Sequence, residues 1–124
     1  MYLLDTSAWI EFFIKSAKGE KVKRHLETKN CYTSIVSVSE ISNWAIKNKL
    51  DGRELTKHVM GLTQVLDLNV KVAFLAGELN FQRKHINKNW GMLDSFILST
   101  SQIYNLRILT KDMHFSDLQN AEIL

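Results

Sequence analysis

With 124 residues, 45% of them hydrophobic and 23% charged, the chain is sized for one domain with its own core and lies far from the composition of disordered segments. A single cysteine, Cys31, excludes an internal disulfide, and no set of Cys and His stands at zinc-site spacing. The formal charge of +3 leans mildly toward an anionic partner, and neither a signal-peptide pattern nor a membrane-length apolar window occurs, so the expectation is an intracellular, cytoplasmic protein without a membrane anchor.

No proline, few glycines and no low-complexity run interrupt the sequence, so residues 1–124 read as a single domain. Met1 to Leu4 is a short apolar run closed by Asp5-Thr6-Ser7, and Trp9, Ile10, Phe12, Phe13 and Ile14 then form a broad apolar helical face: strand, then helix. Lys15 to Lys29 is rich in lysine and arginine around a thin Val22–Leu26 stripe, which predicts an exposed basic helix. The β-branched stretch Cys31 to Val38 predicts a second strand, feeding a helix from Ser39 through Ile46. Leu50 to Leu62 reads as a helix opened near Asp51-Gly52, and Gln64 to Leu68 as a brief strand. Asn69 caps a helix that runs to about Arg83, Lys84 to Gly91 is a polar loop, and Leu93 to Asn105 is helical again. Leu106 to Thr110 is a strand, and Ala121 to Leu124 a short edge strand. Strands alternating with helices predict an α/β fold with a mostly parallel sheet covered on both faces.

In such sheets ligands bind beyond the carboxyl ends of the strands. Asp5, Glu40 and Asp112 each fall just after a predicted strand, and Asp94 opens the helix that precedes the last long one. Each has an ordinary structural account. Asp5 could cap a helix, Ser37-Val38-Ser39-Glu40 matches a capping box, Asp94 could complement a helix dipole, and Asp112 could serve a turn. Together they say more. Two carboxylates 5 Å apart repel by about 3 kcal/mol at an effective dielectric near 20, so gathering four at one edge calls for a counter-charge. Oxygen ligands favour Mg²⁺ or Mn²⁺, and setting the four acids aside leaves a basic excess elsewhere that suits a phosphodiester substrate.

Met1-Tyr2-Leu3-Leu4-Asp5-Thr6-Ser7-Ala8-Trp9-Ile10 resembles the first motif of PIN-domain ribonucleases, particularly the VapC-type toxins of prokaryotic toxin–antitoxin pairs. Ser37-Val38-Ser39-Glu40-Ile41, Leu93-Asp94-Ser95-Phe96-Ile97-Leu98 and Ile108-Leu109-Thr110-Lys111-Asp112-Met113-His114-Phe115 resemble the later motifs, in order. The resemblance implies a three-layer α/β/α sandwich and a Mg²⁺- or Mn²⁺-dependent endoribonuclease leaving 5′-phosphate and 3′-hydroxyl ends. It assigns catalysis and metal binding to Asp5, Glu40, Asp94 and Asp112, with Thr6 and Thr110 as ligand-orienting neighbours and Asp117 as an accessory carboxylate. It further implies an RNA substrate, a cognate antitoxin and a homodimer. Ser95 and Ser99 depart from the alanine that many members carry there.

Lys15, Lys18, Arg83 and Lys84 are the basic residues expected to steer RNA. Trp9, Trp44 and Phe96 are assigned to packing, Trp90 to either packing or stacking, and none of the four histidines to metal. Phe12 and Phe13 exceed what one core readily absorbs and suggest a protein-binding surface. The non-enzymatic alternative is a PIN-like RNA-binding or assembly module without turnover.

Overall fold

In the computed structural model, which describes residues 1–124, strands and helices alternate along the chain. Strands β1 (Tyr2–Leu4), β2 (Cys31–Ser34), β3 (Gln64–Leu66), β4 (Arg107–Thr110) and β5 (Ala121–Ile123) form one sheet in the order β3-β2-β1-β4-β5. Every neighbouring pair is parallel. Parallel neighbours require crossovers, which helices α1 (Thr6–Phe13), α2 (Ala17–Glu27), α3 (Ile35–Lys47), α4 (Gly52–Leu62), α5 (Val70–Lys84) and α6 (Met92–Ile103) supply. Only β4 and β5 are joined without an α-helix, through a single 3-10 turn at Met113–Phe115. The chain builds outward from β1 to β3 and then returns to place β4 on β1's other side. That reversal opens a crevice beyond the carboxyl ends of β1 and β4.

Successive residues of a strand face opposite sides, and here both sides are covered. Leu3 and Ile108 pack with Trp90, Ile97, Leu98 and Phe115 beneath α5 and α6. Leu4 and Leu109 pack with Trp9, Val22, Leu26, Ile41 and Val59 beneath α1 to α4. Burial on two faces is why Leu3-Leu4 and Ile108-Leu109 read as unbroken apolar runs rather than as alternation. The three-layer α/β/α sandwich is the one the sequence predicts.

Three local expectations need correction. β2 stops at Ser34, four residues before the predicted strand end, because the Ser34 hydroxyl accepts the Val36 N–H at 3.2 Å and starts α3 there. The β-branched Ile35, Val36 and Val38 lie in that helix, their unfavourable propensity of a few tenths of a kcal/mol outweighed by packing such as that of buried Val36. The Ser37–Glu40 capping box therefore does not form, and Glu40 sits in the second turn of α3. Trp90, in the segment read as a polar loop, is fully buried, whereas Trp44 and Phe96 are only partly buried and belong to neither core. Phe12 and Phe13 are also partly buried, Phe13 stacking on Trp9 with ring centroids 5.5 Å apart.

Gly19 sets how closely α1 and α2 approach. It lies in the first turn of α2, where its N–H is accepted by Ser16 at 3.0 Å, and a methyl group on it would overlap the main-chain carbonyl of Glu11. Backbone on the far side cannot swing away as a side chain could. Gly19→Ala is expected to lower the free energy of unfolding by about 3 kcal/mol, the upper end of overpacking costs, read from urea denaturation. A variant as stable as the parent would mean that α2 can slide outward freely.

Candidate active site

Asp5 follows β1 directly, and its N–H donates to the Leu109 carbonyl at 2.9 Å, tying the strand end to β4. It occupies the N-cap position of α1 without capping the helix through its side chain. Its Oδ2 instead accepts from Ser7 Oγ at 3.0 Å and from Thr110 Oγ1 at 2.8 Å. Both hydroxyls also receive main-chain donors from the segment after β4: Lys111 N–H to Ser7 at 2.9 Å, and Asp112 N–H to Thr110 at 2.9 Å. A hydroxyl has one proton to give, so each passes it to Asp5, and the 3.1 Å separation of Ser7 and Thr110 is proximity rather than a further bond. No side chain donates to the other Asp5 oxygen.

The remaining acids approach from three more elements. Thr6 Oγ1 donates to Glu40 Oε1 at 2.7 Å, holding α3 to the start of α1. Asp94, in the first turn of α6, accepts the Gly91 N–H at 2.9 Å. Asp112 Oδ1 accepts the His114 N–H at 2.9 Å and lies 3.3 Å from His114 Nδ1. Asp94, Asp112 and His114 offer ligand atoms that all lie within 4.8 Å of one another.

Burial pushes the Asp5 carboxyl up to about 6, against the opposing bonds from Thr110 and Ser7, and the charge of Glu40 adds to the rise. Glu40 is raised by burial, countered by the Thr6 bond and reinforced by Asp94. Asp94 is raised by burial, countered by the Gly91 N–H, and raised again by Asp112, with His114 and Lys84 acting the other way. Each acid thus feels the next, from Asp5 through Glu40 and Asp94 to Asp112, as one continuous patch at the crevice. Buried or half-buried carboxylates that repel one another, with one imidazole at the margin, are a donor set that fits a hard divalent cation such as Mg²⁺ or Mn²⁺.

The structure brings Thr6 and Thr110 to this patch, each bonded to an acid, and adds two residues that were not singled out from the sequence. Ser7 repeats the role of Thr110, a signal available in the run Asp5-Thr6-Ser7. His114 joins through the 3-10 turn, which no periodicity announces.

Arg83 and Asp117 are corrections. Arg83 is 5% exposed, and its guanidinium donates to both Asp117 oxygens at 2.7 and 2.9 Å and to the His114 carbonyl at 2.8 Å. It also lies 4.5 Å from the centre of the Trp90 ring. It is therefore committed to holding the 3-10 turn against α5 and is not free for phosphate. Asp117, its carboxyl held below the ordinary range by the Arg83 bond, belongs to that pair rather than to the acidic patch. Arg83→Ala is expected to cost about 2 kcal/mol of stability through lost charge-assisted hydrogen bonds and lost packing on Trp90, with Arg83→Lys recovering only part because an ammonium cannot fork. A thermal-shift series in which alanine and arginine melt together would refute this assignment.

Of the other basic residues, Lys15 is exposed, Lys18 is half-exposed, and Lys84 donates to the Trp90 carbonyl at 2.6 Å close enough to Asp94 to bias its carboxyl. The serine at position 95 also has a reason in this chain: it accepts the Trp90 indole N–H at 2.7 Å and donates to Asn80 Oδ1 at 3.1 Å. Ser99 donates to the Val72 carbonyl at 2.7 Å, fastening α6 to α5.

A parallel α/β/α sandwich with acids converging at the topological reversal defines a domain built around an acidic crevice. The chain belongs to the PIN-domain family, whose model matches residues 2–121. No curated protein matches it by sequence. Among solved structures, a toxin–antitoxin complex from Klebsiella pneumoniae is similar with a TM-score of 0.79 at 19% identity, covering 98% of this chain and 96% of that one. VapBC2 from Rickettsia felis, bound to a DNA fragment from its promoter, gives 0.77 at 16% identity, with 99% and 96% covered. VapC20 from Mycobacterium tuberculosis, a toxin that cleaves the sarcin–ricin loop, gives 0.75 at 15% identity, with 96% and 95% covered. At these identities the likeness is one of fold. No helix is long and apolar enough to cross a membrane.

Proposed function

We propose that the protein is a Mg²⁺- or Mn²⁺-dependent endoribonuclease and the toxin half of a toxin–antitoxin pair. The observation that carries this reading is the geometry of the crevice: Asp94, Asp112 and His114 present ligand atoms within 4.8 Å of one another, and the Thr110 hydroxyl joins Asp5 to the main chain of Asp112. When bound, a divalent ion supplies Lewis acidity and lowers the pKa of water for attack on phosphorus. Asp5, Glu40, Asp94 and Asp112 would hold it, with the His114 ring beside them. Ser7 and Thr110 fix one oxygen of Asp5 and leave the other free of side-chain donors; Thr6 does the same for Glu40. Lys84 stands near Asp94 to meet a phosphate, and exposed Lys15 and half-exposed Lys18 extend the positive surface for RNA.

Two further surfaces support the partners. Phe12, Phe13, Leu55 and His58 line a cleft together with Lys15, Lys23 and Glu20, suited to an antitoxin segment with apolar and charged side chains. Along α5, Val70, Phe74 and Phe81 are 84%, 71% and 72% exposed, an apolar stripe suited to a second copy of the chain.

The test is incubation of purified protein with a mixed pool of structured RNAs in Mn²⁺ or Mg²⁺, beside an EDTA control and Asp94→Asn. Metal-dependent cuts lost in the variant are expected. RNA binding that is indifferent to EDTA and yields no new ends would favour the non-enzymatic module instead. Because Asp5 protonates near pH 6 in the metal-free protein, ion binding must displace that proton, and metal affinity is expected to fall as the pH drops below 6. Metal-induced shifts in melting temperature across that range measure it.

A further inference from the structure

A second feature opens directly from the acidic patch. A cleft of about 440 Å³, within the size range of small-ligand sites, is lined by Thr6, Glu40, Asn43, Trp44, Lys47 and Leu93. Glu40, Asn43, Trp44 and Lys47 stand at i, i+3, i+4 and i+7 on α3, which puts a carboxylate, an amide, an indole and an ammonium on one helix face. Core packing does not account for the indole. Trp9 and Trp90 are fully buried and their N–H groups donate to Thr33 at 3.0 Å and Ser95 at 2.7 Å, respectively. Trp44 is partly exposed, belongs to neither core, and its N–H has no partner within the chain yet is not sealed from water. It is a large, flat, half-open aromatic surface one turn from Glu40. Asn43 and Lys47 beside it are exposed and bonded to nothing through their side chains.

We propose that this cleft is a nucleotide subsite, which takes the base next to the phosphate that a divalent ion at the carboxylates would hold, stacked on Trp44. Lys47 meets the adjoining phosphate and the Asn43 amide faces the base edge. The substrate class this selects is RNA with an unpaired nucleotide at that position, since a base within a duplex is stacked between its neighbours and cannot reach a side chain. The inference rests on the ribonuclease reading and adds to it the means by which single-stranded or looped segments are preferred.

Trp44 is the tryptophan with access to solvent, so acrylamide quenching of the intrinsic fluorescence reports on it selectively. The experiment titrates the full chain, with Ca²⁺ in place of Mg²⁺ or Mn²⁺ and strand integrity checked on a gel, with a short unstructured RNA and with the same sequence as a duplex. Expected are quenching and acrylamide protection by the single strand but not by the duplex. Binding of labelled single strand should weaken about tenfold in Trp44→Ala and recover in Trp44→Phe, as loss and restoration of one stacked base require. Lys47→Ala should shallow the salt dependence by about 0.7 in log–log slope. An unchanged unfolding midpoint in Trp44→Phe keeps the comparison clear of folding defects.

RNA that binds with equal affinity to wild type and Trp44→Ala, leaving the fluorescence unmoved, overturns the subsite while the cleavage assay still decides the ribonuclease reading. Failure of the single strand to bind overturns it too, as does a Trp44 signal that follows protein concentration alone and so reports a contact between copies. Saturable quenching by RNA in a protein that cuts nothing with Mn²⁺ supports the subsite and removes the ribonuclease reading.

Discussion

Asp5→Asn is expected to make the metal-free protein more stable at pH 7, by about 2 kcal/mol, while reducing metal-dependent cleavage on the order of a thousandfold. The sign follows from the carboxyl pushed up to about 6 from an unfolded value of 3.8. A carboxyl whose pKa is raised by folding is bound more tightly to its proton in the native state. The stability that contributes is present in full below pH 3.8 and is lost as the pH rises through 6. At pH 7 the native state carries a buried anion it would be better without, at a cost of about 3 kcal/mol for a rise of about two units. Asparagine keeps an oxygen for Ser7 and Thr110 and removes the charge. The advantage should vanish in urea denaturation at pH 4, and again when wild type is saturated with Mn²⁺ and gains binding free energy that the variant cannot. A variant less stable than wild type in EDTA at pH 7 would show that Asp5 is a structural anchor.

The second large effect belongs to a residue that touches no substrate. Thr110 is fully buried, donates to Asp5 at 2.8 Å and accepts the Asp112 N–H at 2.9 Å, so one hydroxyl aligns two acids. Thr110→Val retains shape and removes both bonds. Cleavage is expected to fall about 10- to 100-fold, as for other partners that orient metal ligands, and stability by about 2 kcal/mol from the unsatisfied N–H and carboxylate. Without its donor the Asp5 carboxyl rises further, so the acid limb of the pH–rate profile should move to higher pH, and Thr110→Ser should return it. Lost stability with the acid limb in place would reduce Thr110 to a packing residue.

Much of this architecture is legible before any coordinates. The alternation of two-sided apolar strands with amphipathic helices gives the sandwich, and the acids after Leu4, Thr110 and the β2 region fall at the edge where parallel strands end. Position along the chain fails where a tertiary partner decides. The β-branched Ile35, Val36 and Val38 continue a strand by propensity, yet Ser34 turns the segment into a helix, and only that moves Glu40 from a cap to the crevice wall. Arg83 looks like a free surface cation until Asp117, 34 residues later, is folded against it. His114 looks isolated because its neighbours in the patch arrive from α6 and from a 3-10 turn too short to leave a pattern. Trp44 carries helical spacing like any core residue, and spacing does not reveal that the cleft at Glu40 leaves its face open.

The placement of β1 between β2 and β4 has a consequence for synthesis. The Asp5–Thr110 bond spans 105 residues, and Asp112 lies still later in the chain. While the ribosome is still making the last helix, Asp5 has no Thr110 hydroxyl, Lys111 and Asp112 have no place to dock, and the central strand has one exposed edge. Sheets closed by such distant pairings form slowly and late. A nascent chain therefore carries Asp5 long before its partners and acquires a completed crevice only once β4 and Asp112 have emerged, so the site is finished by the part of the fold that is made after α6.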